Sequence, residues 1–167
     1  SGRLDRQLYG PPINPPRVVE DAAKRLFSGP LDSHGRRSIY LEMSIMQPPE
    51  FLTGFNLPDL KLPTGKRDET NVPAQALTML NDPFVNSMAS HWAKSLVKAG
   101  HADPAERLRA MFITAFGREP VIHELTRWRK AVVAFGGENE HDLMANREAW
   151  TALAHTLFNT KEFLYYR

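Results

Sequence analysis

Six histidines are the side chains of this sequence best suited to bind a metal or to transfer a proton near neutral pH. They are His34, His91, His101, His123, His141 and His155. No two of them are four residues apart, which is the spacing that a His-Glu-x-x-His zinc helix needs, and cysteine is absent. The spacing therefore favours histidines packed on helices over metal ligands, and we predict neither a metal site nor a bound cofactor.

The motifs of nucleophilic catalysis and phosphate binding are also missing. The sequence has no Gly-x-Ser-x-Gly elbow, and Gly65-Lys66 lacks the earlier glycine of a phosphate-binding loop. Four serines, Ser28, Ser33, Ser38 and Ser44, fall in expected turns or extended segments, without a patterned base nearby. The sequence therefore holds no recognisable catalytic motif, which favours a non-catalytic chain, and a triad assembled from distant residues stays open.

Two basic-polar groups are the remaining candidates for a binding site. One is His34 to Arg37, and the other is Lys66 to Asn71. The candidate ligand-binding residues are Arg36, Arg37, Arg67, Thr70, Asn71, Gln75 and Asn81. Guanidinium groups bind carboxylates, phosphates and carbonyls well, so these residues could hold an anionic ligand. We favour the alternative, in which they fix a long loop and satisfy the start of a helix.

Composition and charge restrict the class of protein. Hydrophobic residues make up 42% of the 167 residues, which is enough for a buried core. The formal net charge is only +2, and Lys and Arg are interspersed with Asp and Glu. A nucleic-acid-binding domain usually has a concentrated basic face, so nucleic acid is the weakest of the partners we consider. No apolar run is long enough to span a membrane.

Prolines divide the chain into two parts. Ten of the 13 lie before position 74. Paired prolines within residues 3–17 predict an extended arm on the surface of the domain, anchored by Leu8, Tyr9 and Ile13. A short helix is predicted for residues 18–27, and another after Pro48-Pro49. The rest of the first part is expected to be mostly irregular.

The segment from Arg37 to Met46 alternates apolar and polar residues, which is typical of a strand. A lone strand needs a partner, and the sequence does not identify one. An extended segment packed on helices is an equal alternative. Residues 56–72 then form a long loop, which is expected to be either functional or held by contacts.

The second part predicts helices with clear starts and stops. Asn71, Asp82 and Asp103 can cap three of them, and Gly100 and Gly117 can end two. The apolar stripes at three-to-four spacing are Phe84, Met88, Trp92, Leu96 and Ala99; Leu108, Met111, Phe112, Ala115 and Phe116; Val121, Leu125, Trp128, Val132 and Phe135; and Trp150, Leu153, Ala154, Leu157 and Phe158.

These patterns predict a mainly α-helical fold. We expect a single domain over residues 1–167, in which an antiparallel helical bundle over 73–167 follows a proline-rich extended arm and long loops over 1–72. At most one or two short strands are expected.

Several motifs together resemble a known family. The first is Arg36-Arg37-x-x-Tyr40 followed by Phe55-Asn56. The second begins at Arg67 and Thr70 and continues as Pro73-x-Gln-Ala-Leu-x-x-Leu-Asn81. The corner Phe116-Gly-Arg-x-Pro120 and the closing segment from Trp150 to Tyr165 complete the pattern. In this combination the chain resembles a C-terminal domain of unknown function, family 1553, of planctomycete-type secreted proteins.

The resemblance implies a context but no reaction. Members are usually exported, periplasmic or extracellular, and multidomain, with cytochrome-like and sometimes carbohydrate-binding modules upstream. It therefore implies that this chain is a C-terminal piece of a longer protein, with partners among its upstream domains or a polysaccharide. Many members carry a cysteine in the long loop before the arginine, where this chain has Pro63-Thr64-Gly65, so no redox or metal role is inferred from it.

Two hypotheses follow from the residues and the resemblance. The first is a non-catalytic accessory or interaction domain. The second is an enzyme or binding domain for an anionic or polysaccharide ligand, with Arg36, Arg37 and Arg67 as clamps. The second requires these arginines to converge on an open site, whereas the first allows them to be tied by internal contacts.

Overall fold

The computed structural model describes residues 1–17, 26–63, 65–66, 73–136 and 140–165. Eight α-helices lie within these ranges: α1 (Glu50–Gly54), α2 (Pro73–Asn81), α3 (Pro83–Lys98), α4 (Pro104–Phe116), α5 (Ile122–Gly136), α6 (Glu140–Ala145), α7 (Arg147–Phe158) and α8 (Lys161–Leu164). Two short 3-10 turns, Ser33–Gly35 and Ser38–Tyr40, precede them. The described part holds isolated β-bridges and no sheet. The predicted mainly α-helical fold is confirmed.

The chain forms two compact units. The first is Arg3–Phe84, and the second is Val85–Arg167 together with Ser1–Gly2. The boundary falls in the first turn of α3, later than the change at residue 72 that the prolines indicate. The reason is that α2 packs against α1, so it belongs with the irregular first part.

The arm in the first unit pairs with the segment that follows Gly35. Isolated parallel bridges join Asp5 to Arg36 and Ile13 to Leu41. The N–H of Ile13 donates to the Tyr40 carbonyl at 2.9 Å, and the Ile13 carbonyl accepts from Glu42 N–H at 2.9 Å. The alternating segment is therefore not a continuous strand, because it holds the 3-10 turn Ser38–Tyr40, and its described backbone pairing, at Tyr40 to Glu42, is with the arm.

A close backbone approach requires glycine at position 35. Gly35 has φ +77°, and a Cβ there would overlap the carbonyl of Arg3. Its own carbonyl accepts from Asp5 N–H at 2.8 Å. Asp32 fixes the turn from the other side, because its carboxylate accepts from the His34 N–H at 3.1 Å and pairs with Arg3. This turn therefore fixes the backbone position of Arg36, the next residue.

In the second unit, α5 packs on α4 and α7, while α4 also contacts α6, α7 and α8. Trp92 of α3 stacks on Phe158 of α7 with ring centroids 5.5 Å apart. The largest fully buried apolar side chains of this core are Trp150, Phe112, Leu108, Met111, Leu143, Leu153, Leu157 and Val132.

The predicted apolar stripes are confirmed where two helices pack and are wrong at some helix ends. All five stripe residues of α7 are buried. Val121 and Phe135, at the two ends of the α5 stripe, are 49% and 48% exposed, and Ala99 is exposed after α3. At these helix ends the apolar stripe extends beyond the neighbouring helix. Its last residues therefore keep the helical spacing but are not buried.

The predicted helix starts agree with the structure where it describes them. The Asp82 carboxylate accepts from the Phe84 N–H at 2.8 Å, and the Asp103 carboxylate accepts from the Glu106 N–H at 2.8 Å. The Glu106 carboxylate in turn accepts a hydrogen bond from the Ala102 N–H at 2.6 Å. The predicted helix of 18–27 falls mostly outside the described residues, and the Asn71 cap falls entirely outside them.

None of the helices that the structure describes is long and apolar enough to cross a membrane.

Candidate functional site

Arg36 and Arg37, two of the predicted ligand residues, meet the arm at one place. We call Tyr9, Gly10, Arg36, Arg37 and Tyr40 the arginine–tyrosine cluster. The Arg36 guanidinium lies 4.0 Å from the centre of the Tyr40 ring, and that of Arg37 lies 5.7 Å from it. Arg36 Nη2 donates to the Tyr9 carbonyl at 2.7 Å, and the Tyr9 N–H donates to the Tyr40 hydroxyl at 2.9 Å. Both backbone polar groups of Tyr9 are thus held by side chains of one short segment.

The charged and polar groups of the cluster interact with one another. The Tyr9 N–H, a hydrogen bond from Arg37 and the two guanidinium charges lower the pKa of the Tyr40 hydroxyl below its usual value. The Arg36 Nε is buried and has no hydrogen-bond partner in the described part of the chain. A Cβ on Gly10 would lie 3.2 Å from Arg36 Nη1, so the arm also covers this side. Arg36 therefore helps to hold the arm in place.

The predicted anchors of the arm are largely wrong. Leu8 is 55% exposed and the Tyr9 side chain is 80% exposed, whereas Ile13 is half-buried. The arm is held through backbone hydrogen bonds and bridges, and its aromatic side chain points to solvent. Tyr9 has φ 64°, a left-handed conformation that is uncommon for a residue with a side chain.

The other predicted ligand residues are placed elsewhere or not described. Arg67, Thr70 and Asn71 lie outside the described residues. Gln75 and Asn81 are on α2, six residues apart, which separates them by about 9 Å along the helix axis and puts them on different sides of it. A single ligand site formed by all seven residues stays a prediction.

Arg118, in the corner between α4 and α5, joins two carboxylates of the second unit. Its Nε and Nη2 donate to Glu162 at 2.6 and 2.7 Å, and its Nη1 and Nη2 donate to Glu124 at 2.8 Å each. The hydrogen bonds from Arg118 lower the pKa of Glu124 to about 2, and Val121 N–H also contributes. Arg118 therefore ties the start of α5 to α8, and this charge network is structural.

Arg107 is the one charged side chain in the described core, and no motif of the sequence indicates it. It is 2% exposed, and burial lowers its pKa. Its Nη1 donates to the Met144 carbonyl at 2.9 Å, and its guanidinium lies 4.6 Å from the Trp150 ring centre. The Trp150 Nε1–H donates to the Leu143 carbonyl at 2.8 Å. Together they satisfy two carbonyls at the end of α6.

No group of three or more His, Asp or Glu side chains within the described ranges is arranged to hold a metal ion. His155 lies on α7 next to Asn159, whose Nδ2 donates to the His155 carbonyl at 2.9 Å. This histidine belongs to the end of a helix, in line with the structural interpretation of its position.

The Arg118 network predicts a pH-dependent contribution to stability. The pKa of Glu124 is about 2 in the folded chain and near 4.5 when unperturbed. Its contribution is therefore complete above pH 4.5 and is lost as the pH falls towards 2. Arg118→Met should lower the free energy of unfolding by about 1 kcal/mol at pH 6, because Arg118 is 37% exposed and screened by solvent. Urea denaturation between pH 2 and 6 measures the difference from the unmodified chain, which should shrink towards pH 2.

The matched control for this prediction is Arg127→Met, which removes an exposed arginine from α5, the helix that carries Glu124. Its difference from the unmodified chain should stay nearly constant over the pH range. A constant difference for Arg118→Met would show that the network does not contribute through Glu124.

The fold and these clusters define a class: a mainly α-helical domain whose described arginine clusters are held in internal contacts. The chain belongs to the family described as PSD1, protein of unknown function (DUF1553), whose family model matches residues 1–132. No curated protein and no solved structure matches the chain. The motifs from Arg36 to Pro120 thus lie within the matched span, and the closing segment after Trp150 lies beyond it.

Proposed function

We propose that the chain is a non-catalytic interaction domain of an exported multidomain protein, and that the side chain of Tyr9 is a docking anchor. The observation that carries the proposal is the exposure of Tyr9. The residue is 80% exposed, and its backbone is held at both the N–H and the carbonyl. The cluster therefore presents an aromatic side chain to a partner.

The physical argument rests on the cost of this conformation. A left-handed backbone costs a residue with a side chain about 1–2 kcal/mol, and glycine would avoid most of that cost. The exposed ring recovers little of it through burial within the chain. Tyrosine is favoured at the centre of interfaces because it buries a large, rigid ring and keeps a polar tip. A backbone already fixed before binding also reduces the entropy lost on association.

The partner classes follow from the family resemblance. They are upstream domains of the same protein, including cytochrome-like ones, or a polysaccharide, and the location is periplasmic or extracellular. An enzyme or binding domain that clamps an anion with Arg36, Arg37 and Arg67 is supported less well. Arg36 already donates to the Tyr9 carbonyl and stacks on Tyr40, so it would have to leave the arm to bind a ligand.

The proposal predicts an unusual effect on stability. Tyr9→Gly should leave the free energy of unfolding unchanged or raise it by up to about 1 kcal/mol, because glycine accepts φ 64°. Tyr40→Phe should lower it, because it removes the hydroxyl that accepts from Tyr9 N–H. Urea denaturation of both variants measures these effects. A loss of stability for Tyr9→Gly larger than that for Tyr40→Phe would show that Tyr9 serves folding instead.

Docking itself can be tested by placing a photo-crosslinking phenylalanine at position 9 of the full-length protein in its producing cells. The control position is Met46, which is 82% exposed in the same unit. We expect a discrete crosslinked product at position 9, on another domain of the same chain or on a polysaccharide, and background at position 46. Equal background at both positions would overturn the proposal, as would a turnover activity that is lost in Arg37→Ala while stability is unchanged.

A further inference from the structure

Arg37 is the arginine of the arginine–tyrosine cluster that does not hold the arm directly. Arg36 donates to the Tyr9 carbonyl at 2.7 Å and stacks on Tyr40, so its guanidinium is engaged within the cluster. Arg37 is exposed, and its guanidinium donates to the Tyr40 hydroxyl. A guanidinium group has five N–H donors, so most of those of Arg37 are left for a ligand.

No carboxylate within the described residues forms an ion pair with Arg37. Asp32 pairs with Arg3, whereas Asp5 accepts from a backbone N–H and keeps its negative charge. With every carboxylate counted as ionised, residues 1–46 hold seven Lys and Arg against five Asp and Glu. This part of the sequence therefore carries positive charge that its own acidic groups do not balance.

The unpaired guanidinium lies close to the exposed side chain of Tyr9. The Tyr40 hydroxyl accepts from the Tyr9 N–H at 2.9 Å and also from Arg37. Because a donor nitrogen lies about 3 Å from its acceptor oxygen, the bonding nitrogen of Arg37 lies within about 6 Å of the Tyr9 nitrogen. One exposed aromatic side chain, 80% accessible, and one unpaired cation are thus neighbours on a single surface.

The chain neighbours of this pair are apolar and exposed. Leu8 precedes Tyr9 and is 55% exposed, and Ile39 precedes Tyr40 and is 81% exposed. A partner that covers these side chains excludes water from the surface. An ion pair formed by Arg37 beside them would therefore be stronger than one on an open surface.

We propose that Arg37 pairs with an aspartate or glutamate of a protein partner, at the rim of a pocket that receives the Tyr9 ring. This inference rests on the proposed docking role of Tyr9 and gives the partner a definite chemistry. Tyrosine and arginine are among the side chains that contribute most to protein interfaces, and a guanidinium group can bind a carboxylate through two hydrogen bonds.

A partner with repeating negative charge fits this surface less well. A nucleic acid or an acidic polysaccharide brings a row of charges, and its binding depends on several cations. The cluster offers one unpaired guanidinium, and the excess over residues 1–46 is seven basic against five acidic residues. One carboxylate beside one pocket, as on a protein surface, matches that charge.

Photo-crosslinking from position 9 of the full-length protein tests the ion pair. Arg37→Glu should lower the yield of the crosslinked product about tenfold, because it places a negative charge opposite the carboxylate of the partner. Lys61→Glu makes the same charge change at an exposed position of the same unit, and should alter the yield less than about twofold. Mass spectrometry of the product should place the crosslink on a protein, next to an aspartate or glutamate.

A charge exchange with the partner separates the ion pair from a change in the arm. Arg37→Glu also removes the hydrogen bond to Tyr40, and urea denaturation of this variant measures any loss of stability. Replacing the aspartate or glutamate next to the crosslink with arginine should restore at least about half of the yield in Arg37→Glu protein. A loosened arm would not be rescued in this way, because the second substitution lies on the partner.

Each outcome decides the inference. It is wrong if Arg37→Glu leaves the yield unchanged, if the product lies on a polysaccharide, if no acidic residue adjoins the crosslink, or if the charge exchange fails to restore it. A product at position 9 that does not depend on Arg37 would leave docking through Tyr9 in place and remove only the ion pair. The absence of any product at position 9 would overturn both.

Discussion

Trp150→Ala is expected to lower the free energy of unfolding by about 3–5 kcal/mol, the largest loss for a single side chain of the core. The Trp150 side chain is fully buried, and its Nε1–H donates to the Leu143 carbonyl at 2.8 Å. The Arg107 guanidinium lies 4.6 Å from its ring centre. Alanine would leave a large cavity and a buried cation without its aromatic neighbour, and the Leu143 carbonyl would lose the indole donor while keeping the Asn146 N–H at 3.2 Å. Urea denaturation followed by circular dichroism measures the loss.

Two further variants separate the causes of that loss. Trp150→Phe keeps an aromatic ring but removes the donor to Leu143, so it should lower stability by an intermediate amount, about 1–3 kcal/mol. Phe135→Ala removes an aromatic side chain that is 48% exposed on α5, and should cost about 1 kcal/mol. If Trp150→Ala cost no more than Phe135→Ala, the packing of α7 against its neighbours would not be the centre of this core.

The helices were predictable because their signals are local. The caps at Asp82 and Asp103 act within three residues, and the α7 stripe repeats within one helix. Arg107 shows the limit of this approach. It occupies a buried position of the α4 stripe, between Pro104 and Leu108, but only the Met144 carbonyl and the Trp150 ring explain a cation there. Those partners are about 40 residues away, so no local pattern could indicate them.

The candidate site shows the same limit. The sequence pointed to Arg36 and Arg37 as cations in a basic-polar group, and the structure brings both to Tyr40. Their partner is the arm, and the pairing of Tyr9 with Tyr40 spans 31 residues. Burial of an arm residue could not be inferred from its apolar character either, because prolines and backbone hydrogen bonds hold the arm. The exposure of Tyr9, on which the proposed docking rests, is therefore visible only in the folded chain.

Gly136→Ala is expected to destabilise the chain by about 1–3 kcal/mol, although glycine to alanine within a helix ordinarily stabilises by up to about 1 kcal/mol. Gly136 is the last residue of α5, and its carbonyl accepts from Asn146 Nδ2 at 2.7 Å. A Cβ there would overlap that of Ala149, which is buried in α7, and would lie 2.8 Å from Asn146 Nδ2. It would also disturb the α7 cap, since Asn146 accepts from Ala149 N–H. Thermal and urea denaturation measure the loss.

Gly54→Ala is the matched control, because Gly54 is the last residue of another helix, α1. A Cβ at that position would meet Thr78 Oγ1 at 3.5 Å, an ordinary contact, so this variant should gain stability of about 0.5 kcal/mol. Opposite signs for the two substitutions would show that the end of α5 is fixed by packing on α7 and not by helix propensity. Stabilisation by both would show that α5 and α7 can separate enough to admit a methyl group.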